Sequence, residues 1–581
     1  MEQLNWTVEC VAFVIMIGLS VVVGLYYGCV QGKQNTVSEY LLGGRHMAVL
    51  PITMSLITSQ LSGISLLGIP SEVYSYGTQY LIFTIDYVIC SYIIIYIYLP
   101  VFYELQSVSV FEYLELRFDS KIRGFLSIIY AISVILHVPV VIYVPAMAFS
   151  YVTGLNLYYF TLIICGICIF YTTIGGLKAV VWTDAIQSFF TAVSIIIVIV
   201  LGLIRIGGFN NMITANQESD RIEFFRMDLD PFLRNTFWTS GIGMSFTLIS
   251  HMAIHASSVQ RFVALPTFNE ARKSLIFFAF GMGVIKLFSG MTGLLIYATY
   301  KDCDPTLANY IDNDKHIVPF YIVDVASKIP GTTGLFIAGV VSAALSSMSA
   351  QLNTLSGTIY EDLIVKTMNV KPSDLTASII IKFTVVVIGV ICTFLVYMIE
   401  KMNGIIQVSI SLNSVTIGAV ISVFTLGITF PRANSRGVMY GMLSSIVIMV
   451  WIVSGAQIAM YNGELKFVKK NVSIAGCPDN VHFRNHSEFS GLYRMNADVY
   501  VNPNVNKIFT LSYMHYNTIG TIIALVVGIV VSLMFPTEQN IDPKLLAPCI
   551  RKCMYLKNST KTKCEANKTE EYQLVSQNTK L

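Results

Sequence analysis

The chain carries one apolar run after another, each about 20 residues long. No other feature restricts its fold so strongly, because a run of that length crosses the hydrocarbon core of a bilayer as a helix. Residues 8–30, VECVAFVIMIGLSVVVGLYYGCV, are typical. Inside a membrane every backbone amide must be satisfied within the structure, which leaves only helices and closed barrels. The alternation of barrel strands is absent from these runs, and 54% of the 581 residues are hydrophobic against 12% charged. The sequence therefore predicts an all-α polytopic membrane protein with about 13 transmembrane helices. They are expected at 8–30, 48–69, 78–103, 124–152, 157–175, 179–206, 238–259, 274–300, 333–359, 377–399, 404–430, 437–457 and 515–535. The first run has no basic leader and is long enough to span, so it reads as a helix and not as a signal peptide.

Charge sets the orientation. The net charge of +3 is small and dispersed among loops, which speaks against a nucleic-acid surface. Short loops holding Lys33 and Arg45, Arg117, Lys121 and Arg123, Arg261, Arg272 and Lys273, Lys366 and Lys371, and Arg432 and Arg436 fall on one face. By the positive-inside rule that face is cytoplasmic. An odd number of spans then puts the N-terminus outside, with the loops 207–237, 301–332 and 458–514. Residues 1–535 form the transmembrane domain and 536–581 a cytoplasmic tail. The sequons at Asn5, Asn471 and Asn485 land outside, as glycosylation requires, whereas those at Asn558 and Asn567 land in the tail and are predicted silent. Cys303 and Cys477 share the outer side, where they either pair or remain two free thiols. Cys549, Cys553 and Cys564 lie in the tail as free thiols, the first two open to palmitoylation. The terminus Thr579-Lys580-Leu581 fits the pattern that adds a strand to a PDZ domain. Membrane lipid is the remaining partner, and the plasma membrane the expected location.

Two runs are interrupted by small polar residues: SLITSQLSGISLLGIPSE in the second and FWTSGIGMSFTLISHMAIHASS in the seventh. Glycine with serine and threonine at mid-membrane depth lowers the cost of leaving helical geometry and supplies replacement hydrogen bonds. Close packing of small residues gives the same composition. The two lie five helices apart, however, which is the pointer to an inverted five-helix repeat with its site at broken helices. In the ninth run, GVVSAALSSMSAQLNT, Ser342, Ser346, Ser349 and Asn353 form one stripe at helical spacing. The neighbouring hydroxyls of Ser346 and Ser347 over the small Ala343 offer oxygens to a hard cation, with carbonyls of a broken helix to complete the shell. Asn353 reads as a tie to a neighbouring helix.

These residues resemble the sodium/solute symporter family. The matching segments are YLLGGRHMAVLPITMSLITSQLSGISLLGIPSEVY, YTTIGGLKAVVWTDAIQSFF, SSVQRFVALPTFNEARKS and SAALSSMSAQLNTLSGTIYEDL, with Gly175-Gly176, Trp182-Thr183-Asp184 and Gln187 the most specific. GIPSEVY, GGLKAVVWTD and VVIYVPAMA are most similar to the branch carrying monocarboxylates, biotin-type vitamins and iodide. The resemblance implies a leucine-transporter-like fold with a 5+5 inverted repeat, and Na+ as coupling ion. It implies sodium ligands at Ser346 and Ser347, with backbone oxygens from Ala343, Thr58 and Leu61. Asp184 matches the carboxylate near the sodium exit, and Glu361-Asp362 the acidic pair at the inner end of the ninth helix. Substrate contacts are expected at Gln60, Ser62 and Ser65. His255-Ala256 departs from the polar pair usual before VQR, so His255 is either a satisfied helix-end histidine or a changed inner gate.

Asp86 and Lys286 are charges inside apolar runs, where an unpaired charge costs about 3 kcal/mol or more. Either they pair with each other or with carbonyls, or Lys286 attracts an anionic solute. Trp182 and the tyrosines near helix ends read as interface anchors. The expected function is sodium-coupled import of a small organic anion, most simply a monocarboxylate, by alternating access. A vitamin or iodide symporter and a non-transporting sensor are the alternatives. Enzyme chemistry would need a convergent catalytic constellation that the scattered histidines do not offer.

Overall fold

A computed structural model describes residues 6–30, 36–311, 316–326, 329–368, 372–399, 405–478, 499–537 and 541–554. Asn5, Asn485, Lys33, Lys371, Cys564 and Thr579-Lys580-Leu581 lie outside the described residues, as do Asn558 and Asn567. The molecule is predominantly helical. Among the described residues, 8 helices are long and apolar enough to cross a membrane, and a ninth if the sharply bent pair Val37–Arg45 and Val49–Gln60 is one span. Most expected ends hold to within a few residues: 377–399 is Asp374–Ile399 and 515–535 is Tyr516–Met534.

The two polar runs do break. The first is Val49–Gln60 and Gly63–Tyr76, separated by Leu61 (φ −85°, ψ 107°) and Ser62 (φ −99°, ψ 163°) in extended conformation. It therefore continues seven residues past its expected end at 69. Glycine is required at 63, since a Cβ there would stand 2.4 Å from Cγ of Pro145. The second is interrupted at Gly241, widens into a π-helical turn at Ser250–Ile254, and breaks again at His255 before Ala256–Val263. Leu157–Ile206 changes direction at Gly176, whose φ of 52° with ψ of −155° is open to glycine and little else. That point separates 157–175 from 179–206, as the sequence suggested.

The serine-rich helix Thr332–Thr358 is the axis of the bundle. With its π-turn extension it has 94% of its most apolar window buried inside the molecule, against 33–56% for the other candidate spans. Small residues permit this: a Cβ on Gly339 would meet Oγ of Ser194 at 2.2 Å, and one on Gly334 would meet the backbone of Glu9 at 2.1 Å.

At the end of the bundle bearing the 458–514 segment, the connections are structured beyond what the apolar pattern indicated. Helices Phe209–Glu218 and Ile317–Ala326 and an antiparallel pair, Leu465–Phe467 with Val499–Val501, lie there. Cys303 and Cys477 are joined by a disulfide. Arg221 is fully buried and donates to the carbonyls of Tyr74 (3.0 Å) and Asn471 (3.0 Å), tying two connections together.

Three arginines counted from sequence as loop charges are buried instead. Arg117 donates to the carbonyls of Gly427 (3.1 Å), Phe430 (3.1 Å) and Pro431 (3.2 Å), the unpaired acceptors at the end of helix Ile405–Thr429 and just beyond. Arg123 holds Asp362 (2.5 Å) and Glu115 (2.6 Å), while Ser109 and Ser127 also donate to Asp362. Asp362, half of the expected acidic pair, is thus a buried knot between helices. Arg261 belongs to the site below. Trp182 is half-exposed and stacks on Tyr27.

Candidate functional site

The helix ending at Gln60 leaves its last carbonyls without intrahelical donors. The extended residues Leu61 and Ser62 turn those carbonyls toward the serine helix. Ser347 Oγ stands 3.0 Å from the carbonyl of Ser59, 3.2 Å from that of Leu61 and 2.9 Å from that of Ala343. A hydroxyl has one proton and cannot serve three acceptors. The result is a fully buried cluster of converging oxygens with an excess of lone pairs, the donor set that suits a hard cation. Of the carbonyls named from the sequence, those of Ala343 and Leu61 are in this cluster. The third is from Ser59; Thr58 directs its hydroxyl to the carbonyls of Met54 (2.7 Å) and Asp184 (3.2 Å). Only the position of the helix end, now visible, identifies Ser59.

One residue along, Ser346 Oγ lies against the Asp184 carboxyl group. Asp184 is fully buried; its Oδ2 accepts from Ser55 Oγ (2.5 Å) and from Arg261 Nη2 (3.1 Å). Arg261 also donates to Ser55 Oγ (2.7 Å) and the Ser257 carbonyl (3.0 Å). Asp184 Oδ1 and Ser346 Oγ make no hydrogen bond of their own. Asn353 does tie its helix to a neighbour: Nδ2 reaches Gln260 Oε1 (3.5 Å), which Thr354 also holds at 2.8 Å.

Beside the break lies a cavity of about 530 Å³, lined by Gln60, Ser62, Ser65, Ser347 and Lys286 among others. Gln60 Nε2 reaches Ser258 Oγ (3.2 Å) and the His251 carbonyl (3.4 Å). Lys286 does not pair with Asp86. Its ammonium donates to Ser65 Oγ at 2.8 Å, and Asp86 lies instead beside Gly241 on a different helix. His255 sits at the helix break with Nδ1 3.2 Å from Ser257 Oγ and its ring stacked on His251, so it is satisfied and still faces the cavity. At the mouth, Arg234 makes a bidentate pair with Glu72 (2.8 and 2.8 Å) under the rings of Tyr76, Phe467 and Tyr513. Near them, burial pushes the Lys469 amine down to about 8. Nothing local in the sequence foreshadows Glu72 with Arg234, or Asp184 with Arg261, because these partners are far apart in the chain.

Residues 40–445 match the family model described as the sodium:solute symporter family. The chain belongs to that family. It is 32% identical over 576 residues to the human sodium-coupled monocarboxylate transporter 2, covering 97% of this chain and 90% of that protein. To the Xenopus laevis sodium-coupled monocarboxylate transporter 1 it is 34% identical over 546 residues, covering 93% and 87%. Among solved structures, a Na+-coupled sialic acid symporter in a substrate-bound outward-open state superposes with a TM-score of 0.75. That pair is 22% identical and covers 92% of this chain and 99% of the other. The symporter therefore has the leucine-transporter type of fold. It is a multi-pass membrane protein that couples transport to Na+.

Proposed function

We propose that this symporter imports a small organic anion, most simply a monocarboxylate, together with Na+ by alternating access. The supporting observation is the convergence of three carbonyls on Ser347 at a broken helix that also borders a solute-sized cavity. In this reading Na+ is held by the Ser347 and Ser346 hydroxyls with the carbonyls of Ala343, Leu61 and Ser59, and Thr58 steadies the helix end. Asp184 lies on the sodium exit route. Gln60, Ser62 and Ser65 contact the solute. The matched breaks near 61 and 255 belong to an inverted five-helix repeat within a bundle of 13 spans. Its N-terminus and the 458–514 segment are outside and the tail from 536 is cytoplasmic. Asn471 is exposed, as a glycan acceptor must be, and a smaller endoglycosidase shift in Asn471→Gln than in the wild type checks that side. The terminal Thr579-Lys580-Leu581 is a PDZ ligand, testable by peptide pull-down.

Energetics bound the coupling. A sodium ion moving down about 100 mV releases roughly 2.3 kcal/mol, and a tenfold concentration ratio adds about 1.4. A monovalent anion loses the same voltage term on entry. One-to-one coupling is therefore electroneutral and sustains only about tenfold accumulation. Sodium-dependent uptake of lactate, pyruvate, nicotinate, butyrate, biotin and iodide in oocytes, with current recorded, tests both points. Uptake of none of these anions sinks the anion reading, and carboxylate uptake without inward current rules out excess sodium coupling. The cavity is large for lactate, which favours a vitamin-sized carboxylate as the second reading, and the same panel separates the two.

A further inference from the structure

Lys286 is a buried cation that the sodium site does not use. It projects from helix Phe268–Tyr300, is 7% exposed, and borders the cavity. Its ammonium has three protons to donate, and among the described residues its one hydrogen-bond partner is Ser65 Oγ at 2.8 Å. No carboxylate balances it there. The only acid among the described lining residues is Glu72, whose oxygens are taken by Arg234 and Asn235. The histidines that share the cavity, His137, His251 and His255, contribute no negative charge.

Ser65 lies in the first turn of helix Gly63–Tyr76, and the Ser62 side chain does not cap that turn. Its leading N–H groups and the positive end of its dipole therefore stand near the same ammonium. On the other side of the break, the Leu61 carbonyl faces Ser347. Acceptors for a cation and donors for an anion are thus presented by consecutive residues of one break.

We infer that Lys286 is the counter-charge for the solute's carboxylate, which binds between its ammonium and Ser65. Among the described residues that line the cavity, the other basic side chains are engaged elsewhere, Arg234 by Glu72 and Lys469 by interactions of its own, which leaves the Lys286 ammonium, so the fitting solute carries one carboxylate on an otherwise apolar body. This rests on the proposed anion symport and names the group that selects the anion. Ser65 retains a hydroxyl to donate once the ammonium turns to the ligand.

The test is uptake kinetics in oocytes, normalised to surface-labelled protein. Lys286→Met raises the KM for a transported carboxylate by about 30-fold or more, the loss expected when one partner of a buried charge pair is removed. Apparent sodium affinity at saturating solute stays unchanged, which a merely structural role would not predict. In the wild-type protein, which needs no variant to fold, the primary amide of the same solute competes at least about 30-fold more weakly than the acid, and a dicarboxylate of equal length also competes poorly. An unchanged KM in Lys286→Met, or an amide that competes as well as its acid, overturns the inference while leaving anion transport standing. Failure of the wild type to carry any carboxylate defeats the anion reading itself.

Discussion

Arg261 and Lys286 are both cations buried among helices, and the protein treats them in opposite ways. Arg261 is enclosed by Asp184, Ser55 and the Ser257 carbonyl. Lys286 meets one hydroxyl and an open cavity. A closed pair binds three helices at a point no solute reaches, whereas a cation without a counter-charge is tolerable only where something arrives to neutralise it. The largest effect should follow from breaking the closed pair. Arg261→Met strands the Asp184 carboxylate and should cost about 3–5 kcal/mol, seen as loss of mature protein at the cell surface. Adding Asp184→Asn removes the stranded charge and should recover part of that surface signal. Normal abundance of Arg261→Met would show that the pair is not structural and would erase the contrast with Lys286.

Next in size is the sodium cluster, where the comparison is between neighbours. Ser347 contacts three carbonyls, and Ser346 lies against Asp184. Ser347→Ala should weaken apparent sodium affinity about tenfold, or about 1.4 kcal/mol, with solute affinity at saturating sodium little changed. Equal losses in both constants would reduce the serine stripe to packing. The readout separates this site from Lys286, whose removal should do the reverse.

The helices were legible because their apolar runs have to match the bilayer, and both breaks were legible because serine and glycine gather there. Ser346, Ser347 and the Ala343 carbonyl followed from a stripe that is local in sequence, whereas Leu61 was named by the resemblance to the symporter family. What local pattern could not provide was pairing at a distance. Arg117, Arg123 and Arg261 look like loop charges until distant helices bring Gly427, Asp362 and Asp184 to them. Lys286 and Asp86 invite pairing by opposite sign, yet they sit on helix faces that turn to different neighbours. Ser59 was hidden for a smaller reason: which carbonyls are free depends on the residue at which the helix stops.

The smallest effect probes the apolar wall that shares the cavity with the charge. Phe278, Met282, Met244 and Val144 line the same cavity as Lys286, so a carboxylate held at the ammonium lays its body on apolar surface. Each methylene taken out of water should then contribute about 0.8 kcal/mol, close to a fourfold fall in KM per carbon. Along a series of straight-chain carboxylates the fall should continue until the cavity is filled and then reverse, since packed interiors resist extra volume. The slope belongs to the wall and the intercept to the ammonium. In Lys286→Met the series should therefore keep its slope while shifting to weaker binding throughout. A slope that vanished with the lysine would mean that the chain no longer lies in this cavity, and that charge and wall do not serve one site.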